Sequence, residues 1–291
     1  MIELKNEKIA IPVVLIAGLI WSFGPLVVRY MNEPNLVPWQ YIFSRGLTIF
    51  FVINLYLFFE EGKKFYQNYF RIGLSGIIGG IGLGIAMITF IYSITNTTAA
   101  VTLLCLAAMP FFTALLGFLF LKEKVSVNVW IAIFIATIGI VIIALGNTQK
   151  GSLLGLLFGM ISSIGFSAFS VSLRWRKETP KFTTVAFAGF FCFLVASIMI
   201  VKNDASFLST SYNSALFSIH GTLVCMGLIL YSLGSKAIPA AELTLLSLTE
   251  VIGGIFWVWV PFLGINEIPS SNTIIGGFFL FMSIVYYSLT I

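Results

Sequence analysis

One acidic side chain lies in the middle of a long apolar segment, where an ionisable group is expected to have a function. Glu250 is near the centre of segment 239–262, which contains no Lys or Arg. A charge at the centre of a bilayer costs ~2.5–3.5 kcal/mol on insertion scales, so such a residue faces a cavity, finds a partner or is protonated. Three roles are open: Glu250 titrates with a coupling proton, balances a cationic group on a solute, or stays neutral and hydrogen-bonds to a neighbouring helix.

One basic side chain, Arg45, lies about nine residues inside another apolar segment, 36–58. That position is ~13 Å deep at ~1.5 Å per residue, and the side chain can extend part of the way back to the interface. Its guanidinium suits a carboxylate, which it can bind through two parallel hydrogen bonds. It equally suits backbone carbonyls or the hydroxyl of Tyr41, four residues earlier, so a binding role and a structural role are both open.

The other candidate residues give no support to catalysis or metal binding. His220 is the single histidine and has no Cys or Asp at ligand spacing, which excludes a His-cluster metal site and argues against a Ser-His-Asp mechanism. The glycine run at 73–84 lacks the preceding strand and the following Lys-Ser/Thr of a phosphate-binding loop. Its Gly76, Gly80 and Gly84 form a stripe for close helix packing. We therefore expect no enzyme, no catalytic residue, no metal and no cofactor.

The elements that must position these residues are membrane-spanning helices. Of the 291 residues, 59% are hydrophobic and only 9% are charged, against about 25% charged in an ordinary soluble domain. Apolar runs of about 18 residues or more are long enough to cross a hydrocarbon core about 30 Å thick. The runs predict ten spans, at 9–30, 36–58, 72–93, 98–121, 127–146, 152–173, 182–201, 214–235, 239–262 and 273–290. The predicted fold class is an all-α membrane protein, and soluble enzyme classes are excluded.

Basic residues set the expected orientation in the membrane. One set of connections holds twelve Lys and Arg residues, and the opposite set holds three. Because basic loops stay in the cytoplasm, both termini are expected there, with the chain in the plasma membrane or, for a Gram-negative bacterium, the inner membrane. The same loop residues account for the net charge of +5, so nucleic acid is not an expected partner. At the opposite end of the first span, Arg29 and Glu33 are spaced for a local i,i+4 ion pair.

The second half of the chain repeats features of the first half at one constant shift in residue number. We call this shift the repeat interval, and it aligns Gly18 with Gly159. The same interval aligns Gly24 with Gly165, Gly80 with Gly221, and Ala99-Ala100 with Ala240-Ala241. The two halves, 1–146 and 147–291, hold five spans each, and an odd number inverts the second half relative to the first. Inverted repeats are typical of secondary transporters, whose site lies near the midplane between the halves.

Interrupted helices at corresponding positions of the two halves point to that site. Pro110 lies in mid-span and frees the carbonyl of Leu106, and the corresponding span carries Gly253-Gly254 just after Glu250. Trp21, Tyr92 and Tyr231 are the aromatic candidates for lining the site. The expected substrate-binding or coupling residues are therefore Glu250, Trp21, Tyr92, Tyr231, Arg45 and Pro110.

Motifs in both halves carry a family resemblance. They are an Ala-Gly-x-x-Trp-Ser-x-Gly run from Ala17 to Gly24, Pro38 seven residues before Arg45, Leu121-Lys122-Glu123-Lys124 closing the fourth span, and Glu250 and Glu267 in the second half. With these motifs the chain resembles the EamA branch of the drug/metabolite transporter superfamily. The resemblance implies ten helices in two inverted five-helix repeats, with a cavity built mainly from spans 1, 3, 4, 6, 8 and 9. The second half departs from the pattern, because Val251 stands where the family often has Pro and Ala186 stands where Arg45 would repeat.

Together these features predict a secondary active or facilitative transporter of a small polar or amphipathic metabolite, such as an amino acid or a related compound. Alternating access around a midplane cavity would move the solute, with proton coupling through Glu250 as one mechanism and exchange or facilitated diffusion as the other. A channel-like facilitator and, less favoured, an intramembrane enzyme are the alternatives. The expected partners are the small-molecule solute and the lipid bilayer, and the expected assembly is a monomer or a homodimer.

Overall fold

The computed structural model describes residues 6–147, 153–176 and 178–290. Over these ranges the chain folds into α-helices joined by short connections. The helices are α1 (Glu7–Trp21), α2 (Phe23–Tyr30), α3 (Pro38–Glu61), α4 (Gln67–Phe70), α5 (Gly73–Asn96), α6 (Ala99–Leu106), α7 (Met109–Leu116), α8 (Val127–Asn147), α9 (Leu153–Trp175), α10 (Lys181–Lys202), α11 (Ser211–Gly234), α12 (Ala240–Leu246), α13 (Thr249–Trp259) and α14 (Ser271–Thr290).

The helices form the ten spans that the apolar runs predict. In the described ranges, eight helical segments are long and apolar enough to cross a membrane, and two shorter apolar helices, Val127–Ile142 and Ile274–Thr290, supply the fifth and tenth spans. Three of the spans in these ranges consist of two helices each: α1 with α2, α6 with α7, and α12 with α13. We call the face at which α1 begins and α14 ends the inner face, and the opposite face the outer face.

The three two-helix spans are broken at Ser22, Ala107–Ala108 and Ser247–Leu248. Pro110 accounts for the second break, because it lies in the first turn of α7, where its missing N–H is not needed. At the other two breaks a serine hydroxyl competes for the backbone: Ser22 donates to the Leu19 carbonyl at 2.6 Å, and Ser247 donates to the Thr244 carbonyl at 2.8 Å. Such back-bonding bends helices and favours an interruption.

The break in the second half lies earlier than the sequence predicts. Gly253 and Gly254 were the expected interruption, but both lie inside α13. A Cβ on Gly253 would come within 2.7 Å of the Ser22 side chain, and one on Gly254 within 2.8 Å of Leu103. These glycines therefore let α13 pack closely on α2 and α6, while the interruption falls at Ser247–Leu248.

The helices of the two halves approach one another closely at glycines. α5 packs on α9, and both α3 and α5 pack on α10. A Cβ on Gly82 would lie 2.9 Å from the Gly165 carbonyl oxygen, and a Cβ on Gly165 would lie 2.6 Å from the Gly82 carbonyl oxygen. The predicted stripe of Gly76, Gly80 and Gly84 faces α10. Close packing of backbones thus holds the inner helices of the two halves together.

Candidate substrate-binding cavity

A cavity lies between the two halves. Its wall takes residues from all six spans that the family resemblance implies, and the second span adds Arg45 from α3. The lining is apolar apart from a few side chains: Trp21, Arg45, Leu83, Ala86, Met87, Phe90, Leu106, Met109, Ser162, Phe166, His220, Val224, Leu228 and Glu250. An apolar pocket with a small number of polar groups is typical of a small-molecule site.

The repeat is visible in the wall of this cavity. Eight lining residues form four pairs separated by the repeat interval: Trp21 with Ser162, Leu83 with Val224, Met87 with Leu228, and Met109 with Glu250. The same interval carries Arg45 to Ala186, which is not a lining residue. Equivalent surfaces of the two halves therefore face each other across the cavity, whereas its two charged side chains have no charged counterpart. Ser162 and Met109 are not among the residues that the sequence predicts for the site. The repeat interval could have identified both, because it relates Ser162 to Trp21 and Met109 to Glu250.

Arg45 carries an unpartnered cationic group into the cavity wall. The residue is only 5% exposed, and its Nε and Nη1 atoms have no hydrogen-bond partner among the described residues. Its guanidinium carbon lies 5.6 Å from the centre of the Phe90 ring, a cation–π distance. The structure shows no bond from Arg45 to a carbonyl or to Tyr41 in the described ranges, so the bracing role that the sequence left open is not seen.

Glu250 stands in the first turn of α13, directly after the Ser247–Leu248 break. Its backbone N–H donates to the Ser247 carbonyl at 2.9 Å. A carboxylate in the first turn of a helix is stabilised by the partial positive charge of the helix N-terminus. Its side chain lines the same cavity as Arg45 from the opposite half, and within the described chain the two side chains form no ion pair with each other.

His220 also reaches the cavity, where sequence reasoning left two interpretations open, packing near the outer face or a place on a solute path. Its Nδ1 atom and the Tyr41 hydroxyl form a hydrogen bond, and the Tyr41 ring stacks on Phe217 with centroids 4.6 Å apart. This buried contact fixes the imidazole beside Arg45, which lies one helical turn after Tyr41 on α3. The histidine therefore combines a packing role with a position on the cavity wall.

The aromatic and proline candidates have different positions. Trp21 lines the cavity, and its Nε1 donates to the Val224 carbonyl at 3.1 Å. Tyr231 lies behind Trp21 with ring centroids 5.5 Å apart and is hydrogen-bonded to Ser170. Tyr92 packs on Trp39 and Phe158, and Pro110 places its neighbour Met109 on the wall. The structure thus brings Glu250, Trp21 and Arg45 together at the cavity and leaves Tyr92, Tyr231 and Pro110 outside its lining.

Comparisons with known proteins agree with this architecture. Residues 8–145 match the EamA-like transporter family. A solved crystal structure superposes with a TM-score of 0.70 over 98% of this chain and 98% of its own, at 15% sequence identity, which shows a shared fold.

Two groups of relatives are named as transporters. An uncharacterized transporter of Helicobacter pylori is 24% identical over 252 residues, covering 82% of this chain and 80% of its own length. The pseudopaline exporter CntI of Pseudomonas aeruginosa is 20% identical over 217 residues, covering 74% of each chain.

Proposed function

We propose that this multi-pass membrane transporter, whose residues 8–145 match the EamA-like transporter family, moves a small zwitterionic metabolite, such as an amino acid or a related compound, by alternating access. The solute carries a carboxylate to Arg45 and a cationic amino group to Glu250. Its remaining part rests on the apolar wall. In this proposal the cavity binds and releases its solute unchanged, and the names of the relatives support a transporter in preference to an enzyme.

The observation that carries the proposal is the separation of two opposite charges in one cavity. A buried charge is stable only when it is paired and hydrogen-bonded. Within the described chain Arg45 and Glu250 do not pair with each other, although both face the cavity. A zwitterion supplies one partner to each of them, and the guanidinium can hold a carboxylate through two hydrogen bonds.

The rest of the wall suits the apolar part of such a solute. Phe90 and Phe166 offer ring faces, and Met87 and Met109 offer flexible thioether chains that adapt to different shapes. CntI is named as an exporter of pseudopaline, and this supports the view that a chain of this kind handles a small organic solute. We place the chain in the plasma membrane with both termini in the cytoplasm, as the distribution of basic residues favours.

Binding of matched solutes to the purified protein tests the proposal. An amino acid, the corresponding amine and the corresponding carboxylic acid share one side chain and differ only in their charges. At a concentration about 100 times its dissociation constant a ligand stabilises the fold by about 2.7 kcal/mol, which raises the melting temperature. We expect at least one amino acid to raise it while its amine and acid analogues do not. Equal stabilisation by an analogue with a single charge would contradict the proposal.

A further inference from the structure

An arginine at the outer end of the bundle binds both halves of the chain. Arg29, near the end of α2, forms an ion pair with Glu267, with Nε and Oε2 3.0 Å apart. The same guanidinium donates to the carbonyls of Ile94 and Thr97, both at 3.2 Å, where α5 ends. The local pair with Glu33 that the sequence spacing predicts is absent from the described contacts, because α2 ends at Tyr30 and Glu33 lies beyond the helix.

An arginine at the inner end makes the corresponding contacts in the opposite sense. Arg174, near the end of α9, forms an ion pair with Glu123, with Nε and Oε1 2.6 Å apart. Its Nη1 donates to the carbonyls of Ser235 at 3.1 Å and of Ile238 at 2.8 Å, just after α11 ends. In both cases a guanidinium satisfies carbonyls left free at a helix C-terminus, where a positive charge is favoured.

The carbonyl groups of these two clusters are related by the repeat, whereas the arginines and the glutamates are displaced from it by four and three residues. The repeat interval carries Ile94 onto Ser235 and Thr97 onto Ile238. The backbone N–H of Glu267 donates to the Val258 carbonyl at 2.8 Å, and that of Glu123 donates to the Gly117 carbonyl at 3.3 Å. Gly117 and Val258 are again separated by the repeat interval. Each face therefore carries an arginine–glutamate cluster built on equivalent backbone positions of the two halves.

Each cluster joins the two halves through a segment that follows an interrupted helix. Arg29 belongs to the first half and binds the end of α5 in its own half, while Glu267 comes from the second half. Glu267 is tied to the end of α13, which starts at the Ser247–Leu248 break. The backbone N–H of Glu123 bonds the Gly117 carbonyl, directly after α7 ends. Helix α7 itself starts at the Ala107–Ala108 break. Interrupted helices can change direction at the break, since the backbone ladder is not continuous there.

We infer that Arg29–Glu267 is the outer latch and Arg174–Glu123 the inner latch of the transport cycle, and that they open in turn. The inference rests on the proposed alternating access. Both latches are closed in this structure. Their side chains are between 23% and 29% exposed, so water can replace either partner when a latch opens. Glu250 in the first turn of α13 connects the solute site to the helix whose Val258 carbonyl accepts the Glu267 backbone N–H.

The test is the accessibility of the cavity from each face, which requires no solute. Ser162→Cys, in a chain whose Cys105, Cys192 and Cys225 are replaced by Ala, puts a reporter thiol on the cavity wall. A small impermeant thiol reagent is applied to intact cells or to inside-out vesicles. We expect Glu267→Gln to accelerate labelling several-fold from the outer face only, and Glu123→Gln to do so from the inner face only.

Exposed carboxylates provide matched controls. Glu33→Gln on the outer face and Glu178→Gln on the inner face remove the same charge away from the latches and should leave both rates unchanged. If a Gln variant fails to fold, Arg29→Lys and Arg174→Lys keep the charge, lose the fork of N–H groups and should give the same face-specific result.

The proposal that each ion pair closes one face would be overturned if one variant accelerated labelling from both faces. It would also be overturned if neither variant accelerated labelling. Either outcome would leave the zwitterion proposal standing, because solute binding is measured separately. Conversely, the labelling rates could change as expected while no zwitterion stabilises the protein. That result would support the two latches and contradict the proposed solute class.

Discussion

At the scale of single residues, an approximately symmetric cavity carries an asymmetric pair of charges. Arg45 comes from the first half and Glu250 from the second, and their repeat partners are Ala186 and Met109. A zwitterionic solute therefore has one orientation in which Arg45 pairs with its carboxylate and Glu250 pairs with its amino group. Under the proposed function this arrangement predicts specificity, since a solute that lacks one charge leaves Arg45 or Glu250 without a partner.

Replacement of Glu250 by Gln separates its three roles. If Glu250 pairs with the solute, Glu250→Gln should weaken zwitterion binding by about 1–3 kcal/mol, as expected for an unpaired buried group. If it carries a coupling proton, the variant should lose gradient-driven accumulation and keep solute exchange. Titration of the purified variant and uptake in proteoliposomes measure the two effects. The control is Glu242→Gln in α12, because Glu242 is hydrogen-bonded to Tyr287 and does not line the cavity. Wild-type affinity together with wild-type pH dependence would assign Glu250 a purely structural role.

Replacement of Arg45 by Met should affect binding and stability in opposite directions. The change removes the partner of the solute carboxylate, so zwitterion affinity should fall at least tenfold, or about 1.4 kcal/mol. The melting temperature without solute should stay level or rise, because an unpartnered buried cation gives way to an apolar chain. Thermal unfolding with and without solute measures both. A fall in stability with unchanged affinity would show that Arg45 holds the fold together instead.

At the scale of helices, the ten spans could be predicted from the sequence because bilayer thickness fixes the length of an apolar run. The break at Ala107–Ala108 could be anticipated from Pro110. The breaks at Ser22 and Ser247 could not, because serine hydroxyls also bond backbone carbonyls inside continuous helices, as Ser172 bonds Phe169 in α9. The Gly253-Gly254 pair pointed to the right span but to the wrong position, since glycine serves close packing as readily as interruption.

The close crossing of α5 and α9 gives a stability prediction. Gly82→Ala in α5 places a methyl group 2.9 Å from the Gly165 carbonyl oxygen, and backbone cannot swing aside as a flexible side chain can. We expect a loss of about 1–3 kcal/mol, the usual cost of overpacking. Gly277→Ala in α14 is the control, because in the described ranges no neighbouring helix or side chain lies within 4 Å of its added methyl group. Equal melting temperatures for the two variants in detergent would argue that α5 and α9 separate more easily than their packing indicates.

At the scale of the whole molecule, the inner and outer faces are distinguished by charge. Because basic loops remain in the cytoplasm, a cysteine at Glu178 should be reached by an impermeant reagent only from the cytoplasmic side. A cysteine at Asn203, in the connection after α10, should be labelled in intact cells. Labelling at the first position with none at the second in intact cells would reverse the proposed orientation.

The repeat could be read from the sequence, but the contacts between the halves could not. Arg29 and Glu267 are 238 residues apart, and local spacing favoured Glu33 as the partner. The spans that line the cavity include all six that the family resemblance implies. Which residues line the cavity depends on how each helix is rotated about its own axis. A helix that is apolar on all sides does not reveal this rotation from its sequence. For this reason Trp21 lines the cavity while Tyr231, equally aromatic, lies behind it.

Counterflow in proteoliposomes tests the central claim most directly. Vesicles containing the purified protein are loaded with an unlabelled amino acid selected by thermal shift, and uptake of the labelled compound is followed from a dilute outside solution. Alternating access around the Arg45–Glu250 site predicts transient, saturable accumulation, which Arg45→Met abolishes and Gly277→Ala retains. Uptake that rises linearly with concentration and is insensitive to Arg45→Met would contradict the account and identify a channel.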